Sequence, residues 1–213
     1  MENTMEILLK HKIIAIVRRV AAEKTLPLAE ALYEGGIRLI EVTFDQNDPD
    51  CVRVTANIIE QLSKRFGDVM CVGAGTVLNC EQLKAAAESG AKYILSPNVN
   101  TEVIKESVNM GVVAIPGAMT PTEIQYAWTL GASAVKLFPA GDMGLSYFKS
   151  LRGPLNHIPL VVTGGIDENN MLDYFNAGAI GAGIGSNITK GALINEGKFE
   201  ELTTLAKKYT SRI

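Results

Sequence analysis

Three charged side chains stand late in largely apolar runs. Arg18 follows Ile13-Ile14-Ala15-Ile16-Val17, Glu41 lies within Ile37–Thr43, and Lys136 lies within Ala132–Ala140. An ammonium is costly to bury, so Lys136 has its pKa drawn down, finds a partner, or packs its stem while its head reaches water. The first outcome leaves a neutral amine, a nucleophile toward a carbonyl. A carboxylate such as Glu41 can shuttle protons, and a guanidinium such as Arg18 can hold a substrate carboxylate in a fork. Together they suit a reaction in which an amine adds to a ketone, the Schiff base draws electrons from the neighbouring carbon, and the carboxylate moves the proton. The same three could instead form a buried ionic network that serves structure alone.

A second constellation is Val162-Thr163-Gly164-Gly165-Ile166 together with Gly181-Ala182-Gly183-Ile184-Gly185-Ser186. Glycines such as Gly164, Gly165 and Gly185 let backbone N–H groups approach an anion, and Thr163 and Ser186 can add hydroxyls. Tight turns in a glycine-rich chain are the alternative. The spacing Gly181-x-Gly183-x-Gly185 lacks the context of a dinucleotide loop, and Gly73-Ala74-Gly75-Thr76 is no P-loop because no Gly-Lys-Ser/Thr follows.

The elements that must carry these residues alternate. A short helix over Met1–Lys10, capped by Asn3 or Thr4, precedes a strand at Ile13–Val17. Strands then follow at Ile37–Thr43, Val69–Ala74, Lys92–Ser96, Val112–Ile115, around Lys136, Leu160–Thr163 and Ile180–Ile184. Helices with apolar periodicity fill the intervals, most of them closed by Gly. Eight strand–helix units predict an α/β fold, a small (β/α)₈ barrel with an N-terminal helix, over a single domain of residues 1–213. An open doubly wound sheet is the other solution, but no nucleotide fingerprint follows the first strand. Barrel chemistry gathers at the C-terminal ends of strands, on inward-facing positions. Parity with Lys136 inward selects Arg18 and Glu41, turns Arg19 away, and groups Val72, Ala74 and Thr76.

Composition narrows the classes further. A net charge of −3 argues against a nucleic-acid partner, and no apolar run nears the roughly 20 residues that span a bilayer. The N-terminal residues carry no signal-peptide pattern, so a cytoplasmic protein is expected. Cys51, Cys71 and Cys80 form no CxxC pair, and His11 and His157 are the only histidines. Neither a disulfide framework nor a metal site is expected from them, and no cofactor is called for.

Ile40-Glu41-Val42-Thr43, Gly73-Ala74-Gly75-Thr76-Val77-Leu78, Ser96-Pro97-Asn98, Ile115-Pro116-Gly117, Thr120-Pro121-Thr122-Glu123, Lys136-Leu137-Phe138-Pro139-Ala140 and Thr163-Gly164-Gly165-Ile166 occur in order. Together they resemble the 2-keto-3-deoxy-6-phosphogluconate / 4-hydroxy-2-oxoglutarate aldolase family over nearly the whole chain. The resemblance implies a metal-free class I aldolase, commonly a homotrimer, that cleaves a phosphorylated keto-deoxy sugar acid to pyruvate and glyceraldehyde 3-phosphate. It places the Schiff base on Lys136 and proton transfer on Glu41. Thr76 and Pro97 match residues near the pyruvyl group, Phe138 packs beside the lysine, and Gly164, Gly165 and Ser186 match the phosphate end. In one respect the chain departs. The family run is often E-V-T-L-R, its arginine holding the substrate carboxylate, whereas this chain reads Glu41-Val42-Thr43-Phe44-Asp45. Ala15-Ile16-Val17-Arg18 is similar to the A-I-L-R run of the related 2-keto-3-deoxy-6-phosphogalactonate aldolases, so Arg18 is expected to substitute. That sister activity is one alternative; a phosphate-binding barrel isomerase or epimerase, or a barrel that only binds, are the others.

Overall fold

The computed structural model describes residues 3–213. In chain order its elements are α1 (Thr4–His11), β1 (Ile13–Val17), α2 (Ala22–Glu34), β2 (Leu39–Thr43), α3 (Cys51–Phe66), β3 (Cys71–Gly75), α4 (Cys80–Glu88), β4 (Tyr93–Leu95), α5 (Thr101–Asn109), β5 (Val113–Ile115), β6 (Gly117–Ala118), α6 (Pro121–Thr129), β7 (Val135–Leu137), α7 (Ala140–Arg152), β8 (Leu160–Thr163), α8 (Met171–Asn176), β9 (Gly181–Ile184), α9 (Gly191–Asn195) and α10 (Phe199–Thr210).

The strands pair in the order β5-β4-β3-β2-β1-β9-β8-β7-β6, each pair parallel. Pro116 alone separates β5 from β6. It has no N–H to give to a ladder, so it breaks what is otherwise one strand. The first half pairs with β4 and the second with β7, and the sheet closes through them. This is the small (β/α)₈ barrel with a leading helix that the alternation of elements predicts.

The barrel has two apolar layers. Inside, Ile14, Leu39, Cys71, Tyr93, Leu95, Ile115, Ala134 and Val161 form one buried cluster, which Leu8 of α1 joins. Leu8 is fully buried, and a side chain at Gly181 would press on it at 2.8 Å, so α1 packs closely over this part of the sheet. Outside, strand residues of the opposite parity pack against the helices: Ala15 and Val17, Ile40 and Val42, Val72 and Ala74, Val135 and Leu137. Each large apolar side chain so enclosed contributes about 1.5–3 kcal/mol.

Several details differ from the sequence reading. In β3 the lumen takes Cys71, Gly73 and Gly75, which lie in register with Leu39, Glu41 and Thr43; Val72 and Ala74 face the helices. Glycines carry no hydrophobic signal, so parity alone could not assign that strand. Ile37 lies before β2, in the outer cluster. The segment after Lys136 enters α7 at once, at Ala140, and breaks at Gly144, whose φ is 79°. The five residues of α9 are too few for a periodic pattern. Met1 and Glu2 of the expected first helix lie outside the described residues, while Asn3 caps it in a reciprocal box with Glu6. The Thr120-Pro121-Thr122-Glu123 run is a second such box at the start of α6, with Pro121 in the first turn.

Candidate active site

Lys136 is held at the centre of β7, with its backbone N–H on Pro116 at 2.8 Å and its Cα in register with Gly117 and Val161. Its side chain points into the lumen and is 7% exposed. The ammonium nitrogen lies 5.1 Å from the centroid of the Phe138 ring. Pro139 then starts α7, and the turn is tied across to the end of β8 by Gly141 N–H donating to the Gly164 carbonyl at 2.7 Å. A Cβ on Gly141 would lie 2.7 Å from the Gly165 backbone, so only glycine permits this approach.

Glu41 is 3% exposed, on the inward parity of β2, level with Ile16 on one side and Gly73 on the other. The space for its carboxylate is made by β3: a side chain at Gly75 would overlap Oε1. Oε2 is buried without a hydrogen-bond partner. Beneath, the Tyr93 ring fills the volume that a side chain at Gly73 would need, and its hydroxyl donates to the Ile40 carbonyl at 2.9 Å.

The electrostatics follow from burial. Desolvation pulls the Lys136 pKa below its ordinary 10.5, the Arg18 charge pulls the same way, and Glu41 opposes them. Desolvation pushes Glu41 above its ordinary 4.5, against the attraction of Lys136 and Arg18. Each group is thereby brought toward its neutral form.

Above the lumen, a cavity of about 410 Å³ opens at the C-terminal ends of β1, β8 and β9. Arg18, Phe138, Thr163, Gly164, Gly165, Gly185 and Ser186 all line it. Lys136 and Glu41 lie below, in the lumen, and neither they nor Thr76 nor Pro97 are among its walls. Thr76 follows β3 in a left-handed conformation, φ 56°, and Pro97 is exposed after β4. Thr163 Oγ1, buried and without a partner, stands on the cavity wall.

Sequence reasoning missed several members. Asn187 and Thr189 line the cavity and tie it to the barrel: Asn187 Nδ2 donates to Ile166 O at 3.1 Å, and Thr189 Oγ1 donates to Ile16 O at 2.9 Å. Arg19, which parity turns away, is there too, because its φ of 53° ends the alternation of β1. Its guanidinium forks onto Asp45, Nε–Oδ2 2.9 Å and Nη2–Oδ1 3.4 Å. The acid that stands in place of an arginine therefore has a partner from the neighbouring strand. That bond, with the Asn47 N–H, holds Asp45 below the usual carboxylate range. Among the described residues no group of three or more His, Cys, Asp or Glu could hold a metal ion, and no helix is long and apolar enough to cross a membrane.

Comparison with known proteins places the chain. A 2-dehydro-3-deoxy-phosphogluconate aldolase of Treponema pallidum is 35% identical over 209 residues, 98% of this chain and 96% of the relative. A 2-dehydro-3-deoxy-6-phosphogalactonate aldolase of Escherichia coli K12 is 31% identical over 205 residues, 96% of this chain and 97% of the relative. The crystal structure of a KDPG aldolase from Legionella pneumophila, with pyruvate captured as a covalent carbinolamine, superimposes with a TM-score of 0.87 at 26% identity, covering 98% of each chain. The family model of KDPG and KHG aldolases matches residues 4–205, and the chain belongs to that family of carbon–carbon lyases.

Proposed function

We propose that the protein is a Schiff-base aldolase that cleaves 2-keto-3-deoxy-6-phosphogluconate to pyruvate and glyceraldehyde 3-phosphate. The observation that carries this reading is Lys136, buried in the lumen, its pKa drawn down, with the carboxyl of Glu41 as its electrostatic counterpart. The neutral amine adds to the C2 ketone; loss of water from the carbinolamine gives the iminium. Glu41 takes the C4 hydroxyl proton as the C3–C4 bond breaks, and the bond's electrons flow into the iminium to give an enamine. The aldehyde leaves, a proton returns to C3, and hydrolysis frees pyruvate and Lys136. The pyruvate adduct of the Legionella relative is the same chemistry in a protein of this family.

Arg18 is the group for the substrate carboxylate. It lines the cavity, and its charge is felt at both Lys136 and Glu41. Thr76 and Pro97 border the pyruvyl end, and Phe138 packs over the lysine. Backbone N–H groups at Gly164, Gly165 and Gly185, with Ser186, seat the phosphate at the far wall. The gluconate epimer is favoured by Phe138-Pro139-Ala140 and Thr163-Gly164, runs similar to those of the gluconate enzymes. The galactonate epimer is the second reading, favoured by the Escherichia coli relative and by Arg18 directly after the first strand. Cleavage of 4-hydroxy-2-oxoglutarate to pyruvate and glyoxylate fits the same lysine and carboxylate. The reading brings with it a homotrimer and a cytoplasmic setting, the first checked by light scattering of the purified protein.

The test is to incubate the protein with pyruvate and borohydride and to weigh it. A single reduced pyruvate adduct on Lys136 is expected. No adduct, or one on another lysine, defeats the reading.

A further inference from the structure

Among the described residues, three other than glycine have positive φ: Lys12, Arg19 and Thr76. Lys12 is the C-cap of α1, an ordinary place for that conformation. Arg19 and Thr76 are not caps. They directly follow Arg18 and Gly75, at the ends of β1 and β3, on either side of the strand that carries Glu41. A left-handed turn is strained for both residue types, and such strain persists only where the surroundings hold it.

What holds both turns is one dipeptide after β2. Asp45 takes the Arg19 guanidinium in a fork, at 2.9 and 3.4 Å. Gln46 Nε2 donates to the Thr76 carbonyl at 3.0 Å. The loop is itself braced, because Asn47 N–H donates to Asp45 Oδ1 at 3.2 Å and Gln82 Nε2 donates to Gln46 Oε1 at 2.9 Å. Gln82 is 2% exposed and accepts the Leu78 N–H at 2.7 Å, so the chain of bonds ends on buried backbone beyond Thr76. Thr43 Oγ1 on Val17 O and Phe44 N–H on Gly75 O stitch the same three strand ends just below.

We propose that Asp45 and Gln46 are positioning residues: the loop after β2 fixes the left-handed turns that end β1 and β3, and so aims Arg18 and Thr76 at the substrate held over Glu41. The inference rests on the Schiff-base reading, in which Arg18 receives the carboxylate. Its consequence is that Asp45 need not touch substrate to matter. Losing it lets Arg19 relax toward ordinary backbone, and Arg18 turns with it. Glycine at position 19 adopts the left-handed turn without strain and makes Asp45 dispensable.

The test compares Asp45→Asn, Arg19→Gly, the double variant and Gln46→Ala. Each is assayed for the pyruvate concentration that half-saturates borohydride trapping, and for kcat and KM of sugar-acid cleavage. Asp45→Asn raises the half-saturating pyruvate and KM about five-fold while kcat stays within about two-fold, the signature of a misaimed clamp with intact chemistry. In the Arg19→Gly background, where glycine takes the turn without the fork, Asp45→Asn adds less than about two-fold to either value. Gln46→Ala raises both values by a similar factor, through Thr76. An unchanged Asp45→Asn overturns the inference. So does an Asp45→Asn that costs as much in the Arg19→Gly background as it does alone, since Asp45 would then act on substrate directly and not through the turn at Arg19. A wild-type protein that traps no pyruvate overturns the reaction reading first, and with it this one.

Discussion

A side chain at Gly75 would overlap Oε1 of Glu41. The carboxylate of β2 thus occupies volume that the neighbouring strand leaves empty, and the reacting side of the lumen depends on a missing Cβ. Gly75→Ala drives Glu41 out of line. We expect a destabilisation of about 1–3 kcal/mol, as for other overpacked cores, and a loss of kcat of about 10²-fold, in line with a displaced proton-transfer group. Trapping of pyruvate on Lys136 continues, whereas exchange of the pyruvate methyl protons with solvent slows with kcat. Exchange at the wild-type rate in Gly75→Ala would show that the carboxylate tolerates displacement.

This relationship also marks what sequence could carry. Alternating strand and helix patterns with Gly-ended helices located the eight units, and Lys136 and Glu41 stood out because charged residues in apolar runs are conspicuous. Gly73 and Gly75 did not, since parity is read from side chains and these have none. Parity turns Arg19 outward because it extends the alternation two residues past the end of β1, into a turn whose φ is 53°. Asp45 looked anomalous for the same reason: its partner lies 26 positions earlier and meets it only once β1 and β2 are side by side. The Thr120–Glu123 run, one of the motifs behind the family resemblance, proves to be a helix start.

That run gives a control. The Glu123 carboxylate accepts from the Met119 and Thr120 N–H groups at 2.9 and 2.8 Å, bonds that hold its pKa below 4.5. A depressed carboxyl contributes stability above its unfolded pKa and loses it as pH falls through the folded value. Glu123→Gln should cost about 1 kcal/mol by urea unfolding at pH 7, less as the medium is acidified, with kcat and KM unchanged. A kinetic effect without a stability effect would move Glu123 from scaffold to site.

The charges around Lys136 make signed predictions. Burial chiefly lowers its pKa, Arg18 adds to that and Glu41 opposes it. Arg18→Met therefore shifts the acid limb of the kcat/KM profile to higher pH, besides raising KM about 10- to 100-fold for the lost charge-assisted fork. Stability carries the complementary sign. Between the folded pKa of Lys136 and 10.5 the unfolded chain binds the extra proton, so wild-type stability gains with rising pH across that window. Lys136→Met lacks that term. It should be more stable than wild type at pH 7, with a gap that closes toward pH 10.5, read by urea midpoints. A variant less stable than wild type at pH 7 would mean that the Lys136–Glu41 attraction outweighs burial.

Thr163 gives a test of epimer choice. Its Oγ1 is buried without a partner on the cavity wall, 2.6 Å from where a Cβ on Gly183 would stand, so β9 must offer glycine there for the side chain to fit. An orphaned buried hydroxyl costs the fold free energy, and Thr163→Val, nearly isosteric, should leave stability unchanged or raise it by about 1 kcal/mol. The kinetic effect points the other way. If this hydroxyl bonds the C4 oxygen of one epimer, valine costs that epimer a hydrogen bond to a buried group, about 10- to 100-fold in kcat/KM, and leaves the other nearly untouched. We expect the gluconate substrate to suffer and the galactonate substrate to hold, which narrows or inverts the preference. Equal losses on both would place the hydroxyl on a part of the substrate that the epimers share. A selective loss on the galactonate substrate would instead assign this chain the activity of its Escherichia coli relative. Side-by-side kcat/KM values of wild type and variant on the two sugar acids separate these outcomes, because the stability change and the epimer change have different signs and cannot share one cause.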